Sequence, residues 1–242
     1  MNIVEIAEFY DKPLGHVAQG LVSSRLQLSR GTTADQLVMG LGYPLPYMKP
    51  EGRNIAFMMA RSGVVHWPQN GAIRSALVDE LDLPLTESCV DVALLVHALE
   101  FAESAEDMLA EVWRVLSPQG RLVLVVPNRR GLWSSADVTP FGQGQPFSRS
   151  QVMALLKAAQ FTISRVEHSL MSPPWLGSGL AKAFEPLSRL ALRRFSGVVV
   201  IEAQKQIYAY STGKPVRRIV PRLKSVLLPS PHSTVKTSSS NV

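Results

Sequence analysis

The sequence predicts an α/β protein with a doubly wound, mostly parallel sheet and helices on both faces. Short apolar runs of strand length alternate along the chain with segments that have the apolar periodicity of a helix. The run from Val90 to Val96 is almost entirely apolar, which is typical of a central parallel strand covered on both faces. Such folds bind ligands at the carboxyl ends of the strands, where the strand order reverses.

The first half of the chain is predicted to contain a helical segment and four strands. Residues 3–28 have helical periodicity around a break at residues 13–15, which include a proline and a glycine. The run 36–41 is short and apolar and leads into a turn at Gly40 and Gly42, so we predict a buried strand there. The other three strands are predicted at 54–58, 73–78 and 90–96.

The second half is predicted to contain two helices, three more strands and an insert. The helix 105–116 is followed by a Pro-Gln-Gly stop. The helix 148–159 begins at Ser148, an N-cap residue with Gln151 three positions later. Residues 171–197 are apolar and interrupted by prolines, so we predict a helical insert or lid. The last three strands, which bring the total to seven, are predicted at 121–126, 161–170 and 198–208.

The positive charge of the chain is concentrated at its carboxyl end. The 242 residues have a net charge of +6, and residues 211–242 hold six basic residues and no acid. This segment is also rich in serine and proline, and it has too little apolar surface to offset its chain entropy. We therefore predict a disordered basic tail at 211–242, a main domain at 36–210 and an N-terminal helical segment at 1–35. A salt-sensitive contact of the tail with nucleic acid, anionic lipid or another acidic partner remains open.

The composition argues against several classes of protein. Hydrophobic residues make up 46% of the chain and charged residues 18%, which is typical of a globular protein. No apolar stretch approaches the roughly 20 residues of a transmembrane helix, and Glu5, Glu8 and Asp11 stand where a signal peptide would be basic. The single cysteine, Cys89, excludes an intramolecular disulfide and a cysteine-cluster metal site, and we predict no metal. We expect a soluble, cytoplasmic protein.

Two segments carry motifs that lie next to predicted strands. In the first, Asp79 precedes a Leu-Pro pair by four residues, and the strand 90–96 then ends in the box His-Ala-Leu-Glu at 97–100. The second, residues 111–120, has the sequence EVWRVLSPQG and leads into the next strand. Together they resemble the class I S-adenosylmethionine-dependent methyltransferases, and within these the methyltransferase type 11 group, over about residues 36–161. The resemblance implies a Rossmann-like seven-stranded sheet, S-adenosylmethionine as the cofactor and methyl transfer to an acceptor that it does not identify.

The first loop departs from the pattern of that family. The family has an acid and three glycines in the order acid-x-Gly-x-Gly-x-Gly, whereas here Gly40 replaces the acid and Gly42 is followed by Pro44 and Pro46. The family acid that holds the ribose hydroxyls corresponds to Met58, which cannot accept those hydrogen bonds in the same way. The segment between the two strands is short and rich in proline, so we expect the first crossover helix to be short or absent.

The adenine end of the cofactor site is better preserved. By the resemblance, Asp79 corresponds to the acid that accepts from the adenine amino group, and Glu80 and Leu81 to the neighbours of the ring. A solvated loop acid is the alternative for Asp79. For the sugar and methionine ends, the backbone amides around Gly42 and Tyr43 are the remaining candidates.

Four residues are candidates for the acceptor side of the site. His97 corresponds to the box residue that faces the reaction centre, where an imidazole can deprotonate an acceptor hydroxyl or amine; a structural histidine is the alternative. Asn128 and Arg129 leave the fifth strand, where they are placed to bind an acidic group, and Trp133 is a candidate for an aromatic wall. The alternatives are a solvated arginine and a tryptophan packed in the core or lid. Glu100 and Glu111 are predicted to be structural.

Two functions therefore remain open. The first is an S-adenosylmethionine-dependent methyltransferase. The second is a non-catalytic relative that keeps the fold as a binding or scaffolding module, and the replaced acids and glycines favour it. A nicotinamide dehydrogenase is excluded because the third glycine of the dinucleotide fingerprint is absent and no acid lies about 20 residues further on.

Overall fold

The computed structural model describes residues 2–26, 33–60, 62–134, 139–174 and 195–206. The chain divides into two compact units, 1–207 and 208–242. The second unit lies outside the described residues, and so do the predicted tail and most of the predicted insert at 171–197.

Seven strands form a single sheet. Its order is β3-β2-β1-β4-β5-β7-β6, where the strands are β1 Leu37–Gly42, β2 Arg53–Met59, β3 Ser75–Val78, β4 Val90–Val96, β5 Leu116–Pro127, β6 Phe161–Ser169 and β7 Val198–Lys205. The first five strands pair in parallel, and β7 runs antiparallel to both β5 and β6. The predicted mostly parallel sheet is confirmed. Because β1 connects towards β2 on one side while β4 lies on the other, the strand order reverses between β1 and β4.

Helices cover both faces of the sheet, as predicted. They are α1 Ile3–Asp11, α2 Pro13–Ser23, α3 Ala105–Val115 and α4 Arg149–Ala158. Alternate side chains of a strand point to opposite faces, so Val92 and Leu94 of β4 pack in one apolar cluster with α1 and α2, whereas Ala93 and Leu95 pack in the other with α3 and α4. The sheet therefore separates two cores, and the N-terminal helices form one of them.

The helix boundaries follow from local capping. The N-terminal helical segment breaks at Lys12, because Pro13 at the start of α2 has no backbone N–H to continue α1. The predicted N-cap of α4 is confirmed: the Ser148 side chain accepts from Gln151 N, and the Gln151 side chain accepts from Ser148 N, which completes a capping box.

Several boundaries differ from the prediction, two of them at the start of strands, and one expected feature is confirmed. The fifth strand begins at Leu116 rather than at residue 121, because Leu116 and Arg121 both pair with β4 while the residues between them form an irregularity. The third strand begins at Ser75, and the exposed Ile73 lies before it. The first crossover helix is reduced to a single 3-10 turn, Leu45–Tyr47, as the prolines around it predicted.

Candidate functional site

The carboxyl edge of the sheet brings the ends of β1 and β4 side by side. Gly42 is paired in register with Val96, and the switch in strand order lies between their strands. This is the position at which doubly wound folds bind ligands. The predicted cofactor residues lie in the last part of β1 and β2 or directly after β1 and β3, and His97 directly follows β4.

Gly42 is required by both its conformation and its surroundings. Its φ is +91°, which side chains other than glycine rarely adopt. A Cβ at this position would lie 2.6 Å from the carbonyl oxygen of His97. The next residue is also bonded to β4, because Tyr43 N donates to Val96 O over 2.7 Å. The predicted use of the Tyr43 amide for a ligand therefore competes with an existing hydrogen bond.

The first loop folds back over β1. A Cβ at Gly40 would collide with the Pro44 ring and the Met48 thioether. The residue that replaces the acid of the family pattern is therefore small because the loop packs directly against it. Gly40 has no side chain that could bind a ligand, and the close packing of the loop leaves no room for one at that position.

Met58 is part of the apolar core. Its side chain is 0% exposed and packs in the cluster that α1 and α2 share with the sheet. The predicted ribose position is therefore occupied by a buried thioether. A carboxylate introduced there would have to lose its water among apolar neighbours, at a cost of several kcal/mol.

The Asp79 loop is open to solvent. Asp79 is exposed, and its Oδ1 accepts from Leu81 N over 2.9 Å, which shapes the turn. Glu80 is buried, and its Oε1 accepts from Glu103 N. A carboxylate offers about four lone-pair sites, so Asp79 retains capacity for a further donor.

The Glu-x-x-Arg motif on α3 explains why the loop after Asp79 keeps its shape. Glu111 on α3 accepts from Leu83 N, and Arg114 one turn later donates to the carbonyl oxygens of Leu83 and Leu85. Glu111 and Arg114 also bind each other through two hydrogen bonds of 2.7 and 2.6 Å. Glu111 and Arg114, the acid and arginine of the Glu-x-x-Arg pattern, thus form a fork that anchors residues 83–85 to α3. These residues follow Asp79 closely in the chain. The structural role predicted for Glu111 agrees with this arrangement.

His97 is the centre of a buried hydrogen-bonded chain. It is 1% exposed and its φ is +49°, the left-handed region. Its Nδ1 lies 3.2 Å from Glu100 Oε1 and its Nε2 lies 3.0 Å from the Tyr10 hydroxyl. The Tyr10 hydroxyl also lies 3.1 Å from that of Tyr47. Both ring nitrogens are therefore bound by side chains of the protein.

Aromatic rings enclose this chain. The Tyr43 ring stacks on Tyr10 with 5.8 Å between centroids, and Phe141 lies 4.9 Å from the His97 ring. Burial raises the pKa of Tyr10 well above its ordinary value and raises that of Tyr43 to about 12. The phenols are therefore neutral at physiological pH. Tyr10, Tyr47 and Phe141 are not predicted from the sequence, because no local pattern indicates that α1 or residues 139–147 reach the end of β4.

The three predicted acceptor residues lie in different environments. Asn128 is buried, and its side chain donates to Ser196 O over 2.9 Å. Trp133 is fully buried and its Nε1 donates to Ser172 O over 2.7 Å. Arg129 is exposed at the end of β5. The first two thus support the segments beside β7, and Arg129 is the one of the three whose side chain faces solvent.

A cavity of about 590 Å³ lies on the other side of the first loop. Its lining includes Tyr47 and Met48 of that loop, together with Val38, Arg53 and Asn54 from the amino ends of β1 and β2. Within the described ranges, His, Cys, Asp and Glu side chains form no group of three or more that could hold a metal ion. None of the helices described here is both long and apolar enough to cross a membrane.

Comparison with known proteins agrees with the motifs. The model of the methyltransferase type 11 group, described as a methyltransferase domain, matches residues 39–124. No curated protein matches the chain.

Among solved structures, an S-adenosylmethionine-dependent methyltransferase of Thermotoga maritima, described as a possible histamine N-methyltransferase, is 17% identical with a TM-score of 0.55; the match covers 84% of this chain and 96% of that one. Geranyl diphosphate C-methyltransferase of Streptomyces coelicolor is 15% identical with a TM-score of 0.52, over 76% of this chain and 78% of its own. The [4+2]-cyclase SpnF is 19% identical with a TM-score of 0.52, over 78% and 80%.

These structural similarities show the fold, and the cyclase illustrates that the fold alone does not determine the reaction. The residues matched by the family model run from β1 into β5. The chain has the class I methyltransferase fold, and its residues 39–124 match the model of the methyltransferase type 11 family.

Proposed function

We propose that this chain is an S-adenosylmethionine-dependent methyltransferase. The family match over residues 39–124 supports this class of activity. The observation that carries the proposal is a pair of features at the carboxyl edge of the sheet: Gly42 in a left-handed conformation at the end of β1, and the exposed carboxylate of Asp79 after β3. Structures of the geranyl diphosphate methyltransferases contain S-adenosylmethionine or S-adenosylhomocysteine, which supports the same cofactor here.

The adenine end of the cofactor fits the residues present. Asp79 is exposed and has lone pairs beyond the one that accepts from Leu81 N. The fork of Glu111 and Arg114 holds the adjacent backbone in place. We assign the adenine amino group to Asp79, with Glu80 and Leu81 beside the ring.

The ribose and methionine ends do not fit in the same way. Met58 is buried and offers no carboxylate, the Tyr43 amide is bonded to Val96 O, and Gly40 is covered by the first loop. Losing a charged hydrogen bond costs about 1.5 to 3 kcal/mol, so we expect binding at least about tenfold weaker than with an intact ribose acid. The bound cofactor would supply an activated methyl group, and the protein would mainly position the acceptor.

The acceptor side is supported by one exposed side chain. Arg129 at the end of β5 faces solvent, where a guanidinium binds carboxylate or phosphate groups in a bidentate manner. Asn128 and Trp133 support the backbone around it through Ser196 and Ser172. The solved structures named above are a possible histamine N-methyltransferase, a geranyl diphosphate C-methyltransferase and a cyclase, so they select no acceptor for this chain.

A non-catalytic binding module is the second candidate. The observation that favours it is the closed first loop, in which Pro44 and Met48 cover Gly40 and Tyr43 is buried. The two candidates differ in whether the cofactor binds at all.

Isothermal titration of the full chain with S-adenosylmethionine and, separately, S-adenosylhomocysteine tests the proposal. We expect saturable binding of both compounds, in the micromolar range or weaker. No heat up to millimolar ligand, from protein whose circular dichroism and thermal transition show that it is folded, would overturn the proposal and favour the binding module.

A further inference from the structure

The cavity of about 590 Å³ lies beside the reduced crossover between β1 and β2. Parallel strands are usually joined by a helix that packs on one face of the sheet, but here the connection holds a single 3-10 turn, Leu45–Tyr47. The first residues of both strands are half-exposed or exposed, whereas their last four residues are buried. The short crossover therefore leaves the amino ends of β1 and β2 uncovered, and the cavity lies over them.

The inner part of the cavity is apolar. Its lining includes Val38 of β1, Leu26 just after α2, and Pro46, Tyr47 and Met48 of the first loop. Four of these five side chains are partly buried and pack against the core that contains α1 and α2. Small-molecule sites have volumes of about 300 to 1,000 Å³ and are mostly apolar with a few polar groups. The size and lining of this cavity are therefore those of a small-molecule site, and the largely aliphatic wall suits a hydrocarbon chain.

Hydrogen bonds from side chains hold the walls of the cavity in place. Asn54 Nδ2 donates to two carbonyl oxygens of the rim segment 49–52 over 2.6 Å each, and Arg74 Nη1 donates to the other two over 3.1 and 2.6 Å. Gln19 of α2 donates to Pro46 O over 2.6 Å and so fixes the first loop on that helix. The cavity is thus preformed, and binding requires little further ordering of the protein.

The mouth of the cavity has an excess of positive charge. Lys49, Arg53 and Glu51 line it and are exposed, which sets two positive charges against one negative charge. The Arg53 Nη1 donates to Asp35 O over 3.1 Å, which uses one of the five N–H donors of a guanidinium. The remaining donors match a carboxylate, which arginine binds in a bidentate manner.

We propose that this cavity binds an aliphatic carboxylic acid of medium chain length, with its chain against Leu26, Val38 and Met48 and its carboxylate at Lys49 and Arg53. The combination of an apolar interior with a cationic mouth carries this assignment, because an amphipathic acid matches both parts and a neutral chain matches only the first. The site lies at the amino edge of the sheet, whereas the candidate cofactor site lies at the carboxyl edge. It therefore does not depend on the proposed methyl transfer.

Titration of the nitrogen-15-labelled full chain with octanoate, followed by proton–nitrogen correlation spectra, tests this proposal. We expect saturable shifts of the amides of Val38, Met48 and Asn54, with a Kd in the millimolar range or below. Octanol has the same chain without the charge and should bind several-fold more weakly. Hexanoate is two methylenes shorter and should bind about tenfold more weakly than octanoate, because each buried methylene contributes about 0.8 kcal/mol.

Two variants and a control locate the ligand. Val38→Phe places a larger apolar side chain in the cavity, and we expect the Kd for octanoate to rise at least several-fold. Arg53→Gln should raise the Kd for octanoate about fivefold, the effect of a contact of about 1 kcal/mol between exposed charges, and should leave that for octanol unchanged. Arg149→Gln removes the same charge from an exposed position on α4, which packs on the other face of the sheet, and should change neither Kd.

Several outcomes would overturn the proposal. Circular dichroism and thermal melts show that each protein used is folded. Folded wild type that gives no saturable shifts up to millimolar octanoate, equal affinities for octanoate and octanol, or an unchanged Kd in folded Val38→Phe would each contradict it. Shifts centred on residues 79–81, or displacement of octanoate by S-adenosylhomocysteine, would place the acid at the cofactor site instead.

Discussion

At the scale of single residues, the candidate site combines one charged side chain that faces solvent with other side chains that are buried in the protein. Asp79 is exposed beside its turn, whereas Met58 and His97 are buried and already packed or hydrogen-bonded. A ligand at this edge would therefore gain its strongest polar contact from Asp79, and the buried residues would act through shape and through the positions of their neighbours.

Replacement of Asp79 should weaken cofactor binding. Asp79→Ala removes the acceptor that we propose for the adenine amino group, and we expect the Kd for S-adenosylhomocysteine to rise at least several-fold, since hydrogen bonds to charged groups contribute about 1.5 to 3 kcal/mol. Isothermal titration measures the effect. Asp35→Ala removes the same charge from the amino edge of the sheet and should leave the Kd unchanged. An unaltered Kd in Asp79→Ala would remove Asp79 from the site.

Glu111 should make the stability of the fold sensitive to acid. Its hydrogen bonds to Arg114 lower its pKa below the ordinary value, so its contribution is fully present above the unfolded-state pKa of about 4.3 and is lost as the pH falls through the lower folded-state pKa. We expect Glu111→Gln to melt at a lower temperature than the wild type at neutral pH, with the difference shrinking below about pH 4. Thermal melts across this range test it.

The exposed Glu106 on the same helix provides the control for that series. Glu106→Gln changes the charge without breaking the fork that holds Leu83 and Leu85. A difference between wild type and Glu111→Gln that stays constant down to acid pH would contradict the assignment of the ionised fork.

At the scale of elements, the end of each helix and strand is determined by short-range chemistry. Ser148 and Gln151 cap α4 reciprocally, Pro13 begins α2, and Pro44 and Pro46 leave only a 3-10 turn between β1 and β2. That reduced crossover has a consequence for the site, because the loop can then fold back onto Gly40 and bring Tyr47 to Tyr10.

The capping box of α4 gives a prediction for stability. Ser148→Ala leaves the Gln151 amide without its side-chain acceptor, and we expect a loss of about 1 kcal/mol in the free energy of unfolding. Urea unfolding followed by circular dichroism measures it. Thr86→Ala removes an exposed hydroxyl outside any helix and should change the stability far less. Equal stabilities for Ser148→Ala and wild type would show that the cap contributes nothing.

At the scale of the whole molecule, the sheet separates two cores, which differ in how far apart their residues lie along the chain. The core with α3 and α4 is built from segments close to their strands, whereas the core with α1 and α2 depends on residues far away along the chain. The N-terminal helices therefore belong to the same packed unit as the sheet, and α1 supplies the Tyr10 hydroxyl to the end of β4. We expect the folding of the site to depend on these helices.

The basic tail predicted at 211–242 gives the prediction at this scale. Its composition cannot supply a core of its own, so deletion of these residues should leave the melting temperature nearly unchanged. Differential scanning calorimetry of the full and shortened chains tests this. A large drop in the melting temperature would mean that the tail is a folded part of the domain.

The sequence by itself determined the order and type of the elements, and it predicted an adenine site at Asp79. Local periodicity, capping and proline positions act over a few residues, so α4, the reduced first crossover and β4 follow from the chain directly. Asp79 and Glu111 lie within one stretch of sequence. In the structure, hydrogen bonds of Glu111 and Arg114 with Leu83 join the two parts of this stretch.

Only the tertiary structure decided what surrounds His97. Tyr10 and His97 are 87 positions apart, and their contact depends on how α1 packs on the sheet, which no local pattern encodes. The same holds for Met58 and the Tyr43 amide, since the pairing of β1 with β4 and the packing of the first loop bury one and engage the other. Long-range packing thus converted residues that suggested an open pocket into a closed aromatic cluster around a hydrogen-bonded histidine.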